Sequence, residues 1–351
     1  MTTKNPSNST PRSRIYPPNL LELAPHMVGY EEKFTSVGEI RWVPHLLYFH
    51  PRNHRSDVVN TDSVGFRYAY DGDSRHSPAD FGNTGSVRLL AGSSTVFGIG
   101  ASSDSWTLPS RLNFHDDRDQ IWLNFGGRSF NSTQELLLCT LYQHLLPKVD
   151  EIVIFSGFNN LTLARIPQVG QEDHGTFFEY NRYHELFAQQ KERSLSVRNL
   201  LRRKEKPAAA DPPSRSEQIA HAADLTLRHL AGWKSLAAAW GAKITYILQP
   251  LSTWVRDEGS EEEEIIFAEL EQVGGFSARY GDIMGREVNI EYSSILERGA
   301  RDLGVDYLNF SPAMADSLDA DRWTFIDRIH LTDRGHDFVA RKILEHLQNG
   351  S

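Results

Sequence analysis

Five short apolar runs alternate with segments of helical periodicity from residue 87 onward, and this alternation constrains the fold more than any other feature of the sequence. The runs cover residues 87–91, 121–125, 152–155, 244–248 and 305–310. Helical patterns lie between or after them at 132–146, about 217–240, about 290–303 and about 333–347. Strands that alternate with helices are typical of a parallel sheet covered by helices on both faces, with right-handed crossovers. The sequence therefore predicts an α/β fold.

Composition and charge exclude several classes of protein. Of the 351 residues, 39% are hydrophobic and 24% are charged, a balance typical of soluble globular domains. The net charge of -9 argues against nucleic-acid binding, which needs a basic surface. A single cysteine, Cys139, excludes an internal disulfide. No apolar stretch approaches the roughly 18 residues of a membrane span, and residues 1–14 lack a signal-peptide core. We expect a soluble, cytoplasmic protein.

The chain divides into three parts by composition. Residues 1–18 are polar and are expected to be a disordered tail, residues 19–85 an extension packed on the core, and residues 86–351 the main domain. Segments 161–216 and 252–288 interrupt the main domain after strands, at the edge where ligands bind, so both are candidate lids. For the aromatic part of the first, core packing explains the residues equally well. For the acidic run 261–264 of the second, we favour a solvated helix.

Three histidines lie close together in the extension, at His45, His50 and His54. Histidines at short spacing can ligate a metal ion, but this spacing fits no standard zinc pattern and no cysteine or acidic cluster lies nearby. We predict no metal site.

Residues capable of acyl chemistry follow the ends of the predicted strands. These residues are Ser94, the group Asn124-Phe125-Gly126-Gly127, the group Gly157-Phe158-Asn159-Asn160 and the group Asp327-Arg328-Ile329-His330. Ligands of open α/β sheets bind at the carboxyl ends of the strands, so we expect these residues to meet there. The simpler alternative makes Ser94 a helix cap and Asp327 and Asn159 turn residues.

The residue types at these positions suit attack on a carbonyl. A serine hydroxyl needs a base, and the three-residue spacing of Asp327 and His330 lets the carboxylate orient the imidazole. The oxyanion that forms needs donors already in place. The serine's own N–H, a glycine amide after the second strand and an asparagine side-chain amide after the third would supply three.

These blocks resemble the conserved blocks of the SGNH (GDSL-type) hydrolase superfamily. Gly92-Ser93-Ser94 through Gly98 is similar to its first block, and the groups at 124–126, 157–159 and 327–330 to its second, third and fifth, in that order. The segment Asp62-Ser63-Val64-Gly65-Phe66-Arg67 resembles a prelude found in many bacterial members. The resemblance covers about residues 60–347.

The resemblance implies a fold, a set of roles and no cofactor. The fold is a flavodoxin-like three-layer α/β/α sandwich with strand order 2-1-3-4-5. Ser94 is the implied nucleophile, His330 the base and then the acid, and Asp327 its orienting partner. The implied oxyanion hole consists of Ser94, Gly126 and Asn159. No metal or cofactor is implied.

The sequence departs from the family pattern at three positions. Ser93 and Asn160 stand where the family usually has aspartate, and Ser129 stands where the second block often has its second glycine. None of these is one of the four residues that would perform the reaction.

Arg328, Trp323 and Arg67 are further candidates for substrate binding, although we favour surface or packing roles for them.

The predicted function is that of a serine esterase that removes an acyl group, such as acetyl, from a polar small molecule or a carbohydrate. The same acyl-enzyme would also serve an acyltransferase, and the sequence does not separate the two. A non-catalytic glycan-binding or scaffold protein with the same fold is the other alternative. The intact set of Ser94, Gly126, Asn159 and His330 argues against it.

Overall fold

The N-terminal part of the chain folds into short helices and two hairpins. The computed structural model describes residues 13, 15–35, 39–82, 85–167, 176, 178, 211–319 and 321–349. Helices α1 (Pro18–Leu23) and α2 (Val28–Phe34) come first. Two antiparallel pairs follow, β1 (Arg41–Val43) with β2 (Leu47–Phe49) and β3 (Ala69–Asp71) with β4 (Ser74–His76). Pro18, the last residue of the predicted tail, begins α1.

A five-stranded parallel sheet forms the centre of the molecule. Its strands are β5 (Ser86–Gly92), β6 (Ile121–Gly126), β7 (Lys148–Ser156), β8 (Lys243–Leu248) and β9 (Asp306–Asn309). They lie side by side in the order β6-β5-β7-β8-β9, and every neighbouring pair is parallel. Each strand overlaps one of the five apolar runs. The predicted parallel sheet and its order 2-1-3-4-5 are confirmed.

Helices connect and flank these strands. They are α3 (Ser94–Phe97), α4 (Leu108–His115), α5 (Ser132–Tyr142), α6 (Phe158–Ala164), α7 (Arg215–Trp240), α8 (Ser252–Val255), α9 (Glu261–Gly274), α10 (Phe276–Tyr280), α11 (Arg286–Leu303), α12 (Phe310–Ala315) and α13 (Asp333–Asn349). Single 3₁₀ turns occur at Pro25–Met27, Asp104–Trp106, Gln143–Leu145 and Gly281–Ile283. Hydrogen bonds from capping side chains define where some of these helices begin. Ser214 and Glu217, for example, cap each other's backbone amides at the start of α7.

Alternate side chains of the strands enter two separate cores. Leu89 and Ala91 of β5 pack with α5, α7 and α11 on one face of the sheet. Leu90, the residue between them, packs with α4 and α13 on the other face, together with α1 and α2 of the extension. Because successive side chains of a strand point to opposite faces, a strand that is apolar throughout must be covered on both sides. The arrangement is a three-layer α/β/α sandwich.

The two predicted lid segments differ in how far the structure describes them. Of the first, the part from 168 to 210 lies outside the described residues, apart from Thr176 and Phe178. The second segment consists mainly of α8, α9 and α10. Within the described ranges, no helix is both long enough and apolar enough to cross a membrane.

A buried glutamate beneath the sheet gives a prediction about stability. Glu135 of α5 is 1% exposed, and its Oε1 accepts a hydrogen bond from Ser156 Oγ at 2.6 Å. Burial raises the pKa of Glu135 from 4.5 to about 8, although the bond from Ser156 opposes the shift. The folded protein therefore binds a proton that the unfolded chain has released. As the pH rises from about 5 to about 8, ionisation of Glu135 should therefore lower the free energy of unfolding. The expected slope is up to about 1.4 kcal/mol per pH unit.

Glu135→Gln should remove this slope, because the amide is neutral at every pH. Urea unfolding at several values between about pH 5 and pH 8 measures it. Glu297→Gln, on the exposed side of α11, is the matched control and should keep the wild-type slope. Equal slopes in the wild type and the Glu135 variant would contradict the prediction.

Candidate active site

The candidate nucleophile lies at the carboxyl end of β5, the strand between β6 and β7. Strand β5 ends at Gly92, and Ser94 is the first residue of α3. The Ser94 amide is at the start of this short helix, where backbone N–H groups have no partner within the helix. The residue Ser94 is 7% exposed. Ser94 is thus held on a turn at the sheet edge, with its amide directed out of the helix.

The structure brings Ser94, His330 and Asp327 together in a hydrogen-bonded chain. Ser94 Oγ lies 2.7 Å from His330 Nε2, and His330 Nδ1 lies 2.7 Å from Asp327 Oδ2. Asp327 Oδ1 accepts bonds from the amides of Ile329 and His330 at 2.7 and 2.8 Å. The carboxylate accepts the Nδ1 proton, so Nε2 is left as the acceptor for the serine hydroxyl. This is the geometry of a nucleophile, a base and an orienting acid.

The charge on Asp327 is stabilised locally. Burial alone would raise the pKa of this carboxyl group. The facing imidazole of His330 and the two backbone amides outweigh burial and hold the pKa below its usual value. Asp327 is therefore ionised at neutral pH and can stabilise a positive charge on the imidazole.

The acidic run on α9 supports the loop that contains Asp327. Glu263 is fully buried, and its Oε1 accepts bonds from the amides of Thr324 and Phe325 at 2.8 and 2.9 Å. Its Oε2 pairs with Arg256 at 2.8 Å. The expectation of a solvated helix face is wrong for Glu263. Its backbone partners Thr324 and Phe325 lie about sixty residues away in the chain, and no local pattern shows them.

Asn159 is in position to donate to an oxyanion. It follows β7 as the second residue of α6 and is nearly buried. Its Nδ2 donates to Phe130 O at 2.7 Å. A side-chain amide has two N–H groups, so this bond fixes the group and leaves the second hydrogen for a ligand.

The amide of Gly126 does not take the role predicted for it. Its N–H donates to Asn124 Oδ1 at 2.9 Å. A Cβ atom on Gly126 would lie 2.1 Å from Phe97 N and 2.6 Å from Val96 C. Glycine is therefore required here so that α3 can pack on the end of β6. The prediction that Gly126 is an oxyanion donor is corrected on this ground.

The neighbouring loop offers another amide, that of Ser129. Gly127 N donates to Gly92 O and Phe130 N donates to Gly127 O, but no described residue accepts a bond from Ser129 N. Ser129 has a φ of 56°, the left-handed conformation that favours glycine. The sequence signal was present, because Ser129 stands where the resembling family often has glycine. A serine in this position keeps the glycine conformation, and its N–H has no acceptor among the described residues.

The other two departures from the family pattern are structural. Ser93 Oγ donates to Gln249 Oε1 at 3.3 Å. Asn160 Oδ1 accepts from the amide of Ser132, and its Nδ2 donates to Thr226 Oγ1. Asn160 therefore ties the Asn159 loop to α5 and α7.

The three further candidates for substrate binding make contacts within the protein. Arg67 is buried, pairs with Asp104 at 2.7 Å and donates to Gly98 O at 2.8 Å, just after the nucleophile helix. Trp323 Nε1 donates to Phe325 O, and the guanidinium of Arg328 lies 5.2 Å from the Phe267 ring centre. Arg67 supports the nucleophile turn from beneath it.

The histidine group of the extension does not form a metal site in the described part of the chain. There, no three histidine, cysteine, aspartate or glutamate side chains are grouped so that they could hold an ion. Both ring nitrogens of His50 have protein partners, Gly65 O at 3.0 Å and Arg128 N at 3.1 Å.

Comparison with known proteins finds similarity only to solved structures. The chain matches no protein-family model and no curated protein sequence. It is similar to the acetyl xylan esterase AlAXEase, at 15% identity and a TM-score of 0.39 over 74% of this chain and 98% of that one. It is also similar to a lipase/acylhydrolase from Enterococcus faecalis, at 12% identity and a TM-score of 0.40 over 76% and 96%.

A member of the lipolytic protein G-D-S-L family from Veillonella parvula is similar at 11% identity, with a TM-score of 0.40 over 74% of this chain and 97% of that one.

Proposed function

We propose that the chain is a serine esterase of the SGNH (GDSL) type that hydrolyses an acyl ester of a polar small molecule or carbohydrate through an acyl-enzyme on Ser94. The observation that supports this most directly is the continuous chain Ser94–His330–Asp327, with two contacts of 2.7 Å, at the carboxyl edge of the sheet. That edge is where open α/β folds bind ligands.

In the acylation step, Ser94 Oγ attacks the ester carbonyl carbon as its proton passes to His330 Nε2. Asp327 stabilises the imidazolium and keeps the ring in its orientation. The carbonyl oxygen becomes an oxyanion, which we place among the amides of Ser94 and Ser129 and the Nδ2 group of Asn159. Each such donor contributes about 2.7–4 kcal/mol to the transition state. The alcohol leaves with the proton from His330.

In the deacylation step, water takes the place of the alcohol. His330, neutral again, removes a proton from the water as it attacks the acyl group on Ser94. The second oxyanion occupies the same donors, and its collapse returns the proton to Ser94. The products are a free acid and the original enzyme.

Asn159→Ala should lower kcat by about 10²–10³-fold with little change in KM. The donor bonds the developing charge more strongly than the neutral carbonyl, so its loss affects the transition state and not substrate binding. Asn159→Asp is the matched control. It is nearly isosteric but has no N–H, so it should be no more active than the alanine variant. A loss confined to KM in steady-state assays would remove Asn159 from the oxyanion hole.

The proposal is tested with a short-chain activated ester such as p-nitrophenyl acetate. Release of nitrophenol together with an acetylated Ser94 peptide, trapped by acid quench and identified by mass spectrometry, is the expected result. If no activated ester acylates Ser94 in the folded protein, the esterase proposal is wrong and the non-catalytic alternative is favoured.

The fate of the acyl group separates the hydrolase from an acyltransferase. We expect free acid as the product, whichever sugar or alcohol is added. Transfer to an added acceptor in preference to water would require a bound acceptor of high effective concentration, and would reassign the protein as a transferase.

A further inference from the structure

The imidazole of His50 lies between two loops and one helix of the candidate site. The residue follows β2 and is 3% exposed. Its Nδ1 lies 3.0 Å from Gly65 O, and its Nε2 lies 3.1 Å from Arg128 N. Its ring centre is 3.9 Å from that of Phe97, the last residue of the nucleophile helix. His50 therefore connects the loop 62–67, the loop 126–130 and α3.

These two bonds determine the tautomer of His50. A carbonyl oxygen can only accept, so Nδ1 must carry the proton that binds Gly65 O. A backbone N–H can only donate, so Nε2 must be unprotonated to accept from Arg128. The neutral Nδ1–H ring is the one form that makes both bonds. Burial, followed by the nearby positive charge of Arg128, places the pKa of His50 well below its ordinary value.

The partner on the first side of the ring is rigid. Asp62 Oδ1 accepts bonds from the amides of Val64, Gly65 and Phe66 at 2.7–2.9 Å. Gly65 has a φ of 122°, and a Cβ atom there would lie 2.7 Å from His50 O. The carbonyl that orients His50 is thus fixed by the loop that the sequence analysis singled out as a prelude.

The second side of the ring faces the loop that contains Ser129. This loop is held at three consecutive points. Gly127 N donates to Gly92 O at 2.9 Å, Arg128 N donates to His50 Nε2, and Tyr48 Oη donates to Ser129 O at 3.0 Å. The Ser129 N–H lies between the second and third of these anchors.

We infer that His50 is a positioning residue of the active site, which accepts the Arg128 amide and thereby orients the next N–H, that of Ser129, toward the oxyanion. The inference rests on the proposed esterase function. His50 does not touch the substrate, so its effect is exerted through the loop 126–130. Removing the bond from Arg128 N to His50 should therefore weaken transition-state stabilisation without weakening substrate binding.

Two substitutions separate the bonds of His50. In His50→Gln, the side-chain oxygen reaches the position of Nε2 and can still accept from Arg128. In His50→Asn, the shorter amide reaches the position of Nδ1 and can still donate to Gly65 O, but nothing accepts from Arg128. Both variants are polar and each keeps one of the two bonds, so they serve as controls for each other.

The expected results for p-nitrophenyl acetate differ between the two variants. His50→Gln should keep kcat within roughly tenfold of wild type, and His50→Asn should lose on the order of 10²-fold, comparable with the loss of one oxyanion donor. KM should change little in either. The inhibition constant of a trifluoromethyl ketone, whose adduct with Ser94 places a charged oxygen in the hole, should rise by the factor by which kcat/KM falls.

Equal kcat losses in the two variants, or a loss confined to KM, would overturn the role of His50 and leave the esterase proposal intact. A wild-type protein that is not acylated on Ser94 would overturn both. A measurement on the wild type keeps the test valid if a variant does not fold. Nitrogen NMR of labelled histidine should show His50 as the Nδ1–H tautomer at neutral pH, and an Nε2–H tautomer or an imidazolium would contradict the inference.

Discussion

Ser94→Ala is expected to abolish turnover of activated esters and to remove the acylated peptide altogether. The loss should be on the order of 10⁶-fold in kcat, as in a serine-protease triad without its serine. The physical reason is that no other described nucleophile bonds to His330: its Nε2 lies 2.7 Å from Ser94 Oγ and its Nδ1 is engaged by Asp327. Steady-state release of nitrophenol and mass spectrometry of the quenched enzyme measure the two effects.

Ser93→Ala is the matched control for this experiment. Ser93 is the preceding residue and is also buried, but its hydroxyl donates to Gln249 and not to His330. The variant should keep most of the activity and the label on Ser94. Acyl label on Ser93, or label that survives Ser94→Ala, would show that the nucleophile has been assigned to the wrong residue.

The sequence was sufficient to predict the fold because four of the five strands contain a continuous buried run that is mostly apolar. A strand that enters a core on both faces, such as β5 with Leu89 and Leu90, leaves a continuous apolar run that a half-exposed strand does not. Helix bounds were predicted to within a few residues where caps are local. Helix α11 begins at Arg286, four residues before the predicted start at 290, and α4 between β5 and β6 was not predicted.

The grouping of Ser94, His330 and Asp327 could be predicted because two of the residues are close in the chain and the third directly follows a strand. Asp327 and His330 are three residues apart, and Ser94 follows β5, the first strand of the sheet along the chain. Ser94 and His330 are more than two hundred residues apart, so only the topology of the sheet brings them together. Parallel strands place all their carboxyl ends at one edge, and this makes the meeting predictable.

The proposed oxyanion donors were harder to assign from the sequence because they depend on the path of one loop. Gly126 and Ser129 are three residues apart, and either amide could have faced the nucleophile. The choice follows from two details that no local pattern shows: Asn124 Oδ1 occupies the Gly126 amide, and Ser129 has a positive φ. Glu263 and His50 escaped prediction for the same reason, since their partners are distant in the chain.

Asp327→Asn should reduce kcat by about 10⁴-fold while leaving the protein folded, as the equivalent change does in the serine-protease template. Asp327 Oδ1 accepts two backbone amides, and these bonds will hold the asparagine with its carbonyl oxygen in the same place. Its NH₂ group must then replace Oδ2, 2.7 Å from His330 Nδ1. An N–H donor at that point requires an unprotonated Nδ1, so the proton moves to Nε2. The imidazole then cannot accept the proton of Ser94.

Asp306→Asn provides a control with the same chemistry elsewhere. Asp306 Oδ2 lies 2.8 Å from His346 Nε2, and the pair is at the opposite edge of the sheet, where β9 begins. Replacing it breaks a histidine–carboxylate pair of similar length without touching the site, so esterase activity should be unchanged. The two variants are compared by kcat for p-nitrophenyl acetate between about pH 6 and pH 9 and by thermal unfolding. Wild-type activity of Asp327→Asn across that range would remove Asp327 from the mechanism. An equal loss in both variants would mean that destabilisation, and not the histidine tautomer, accounts for the effect.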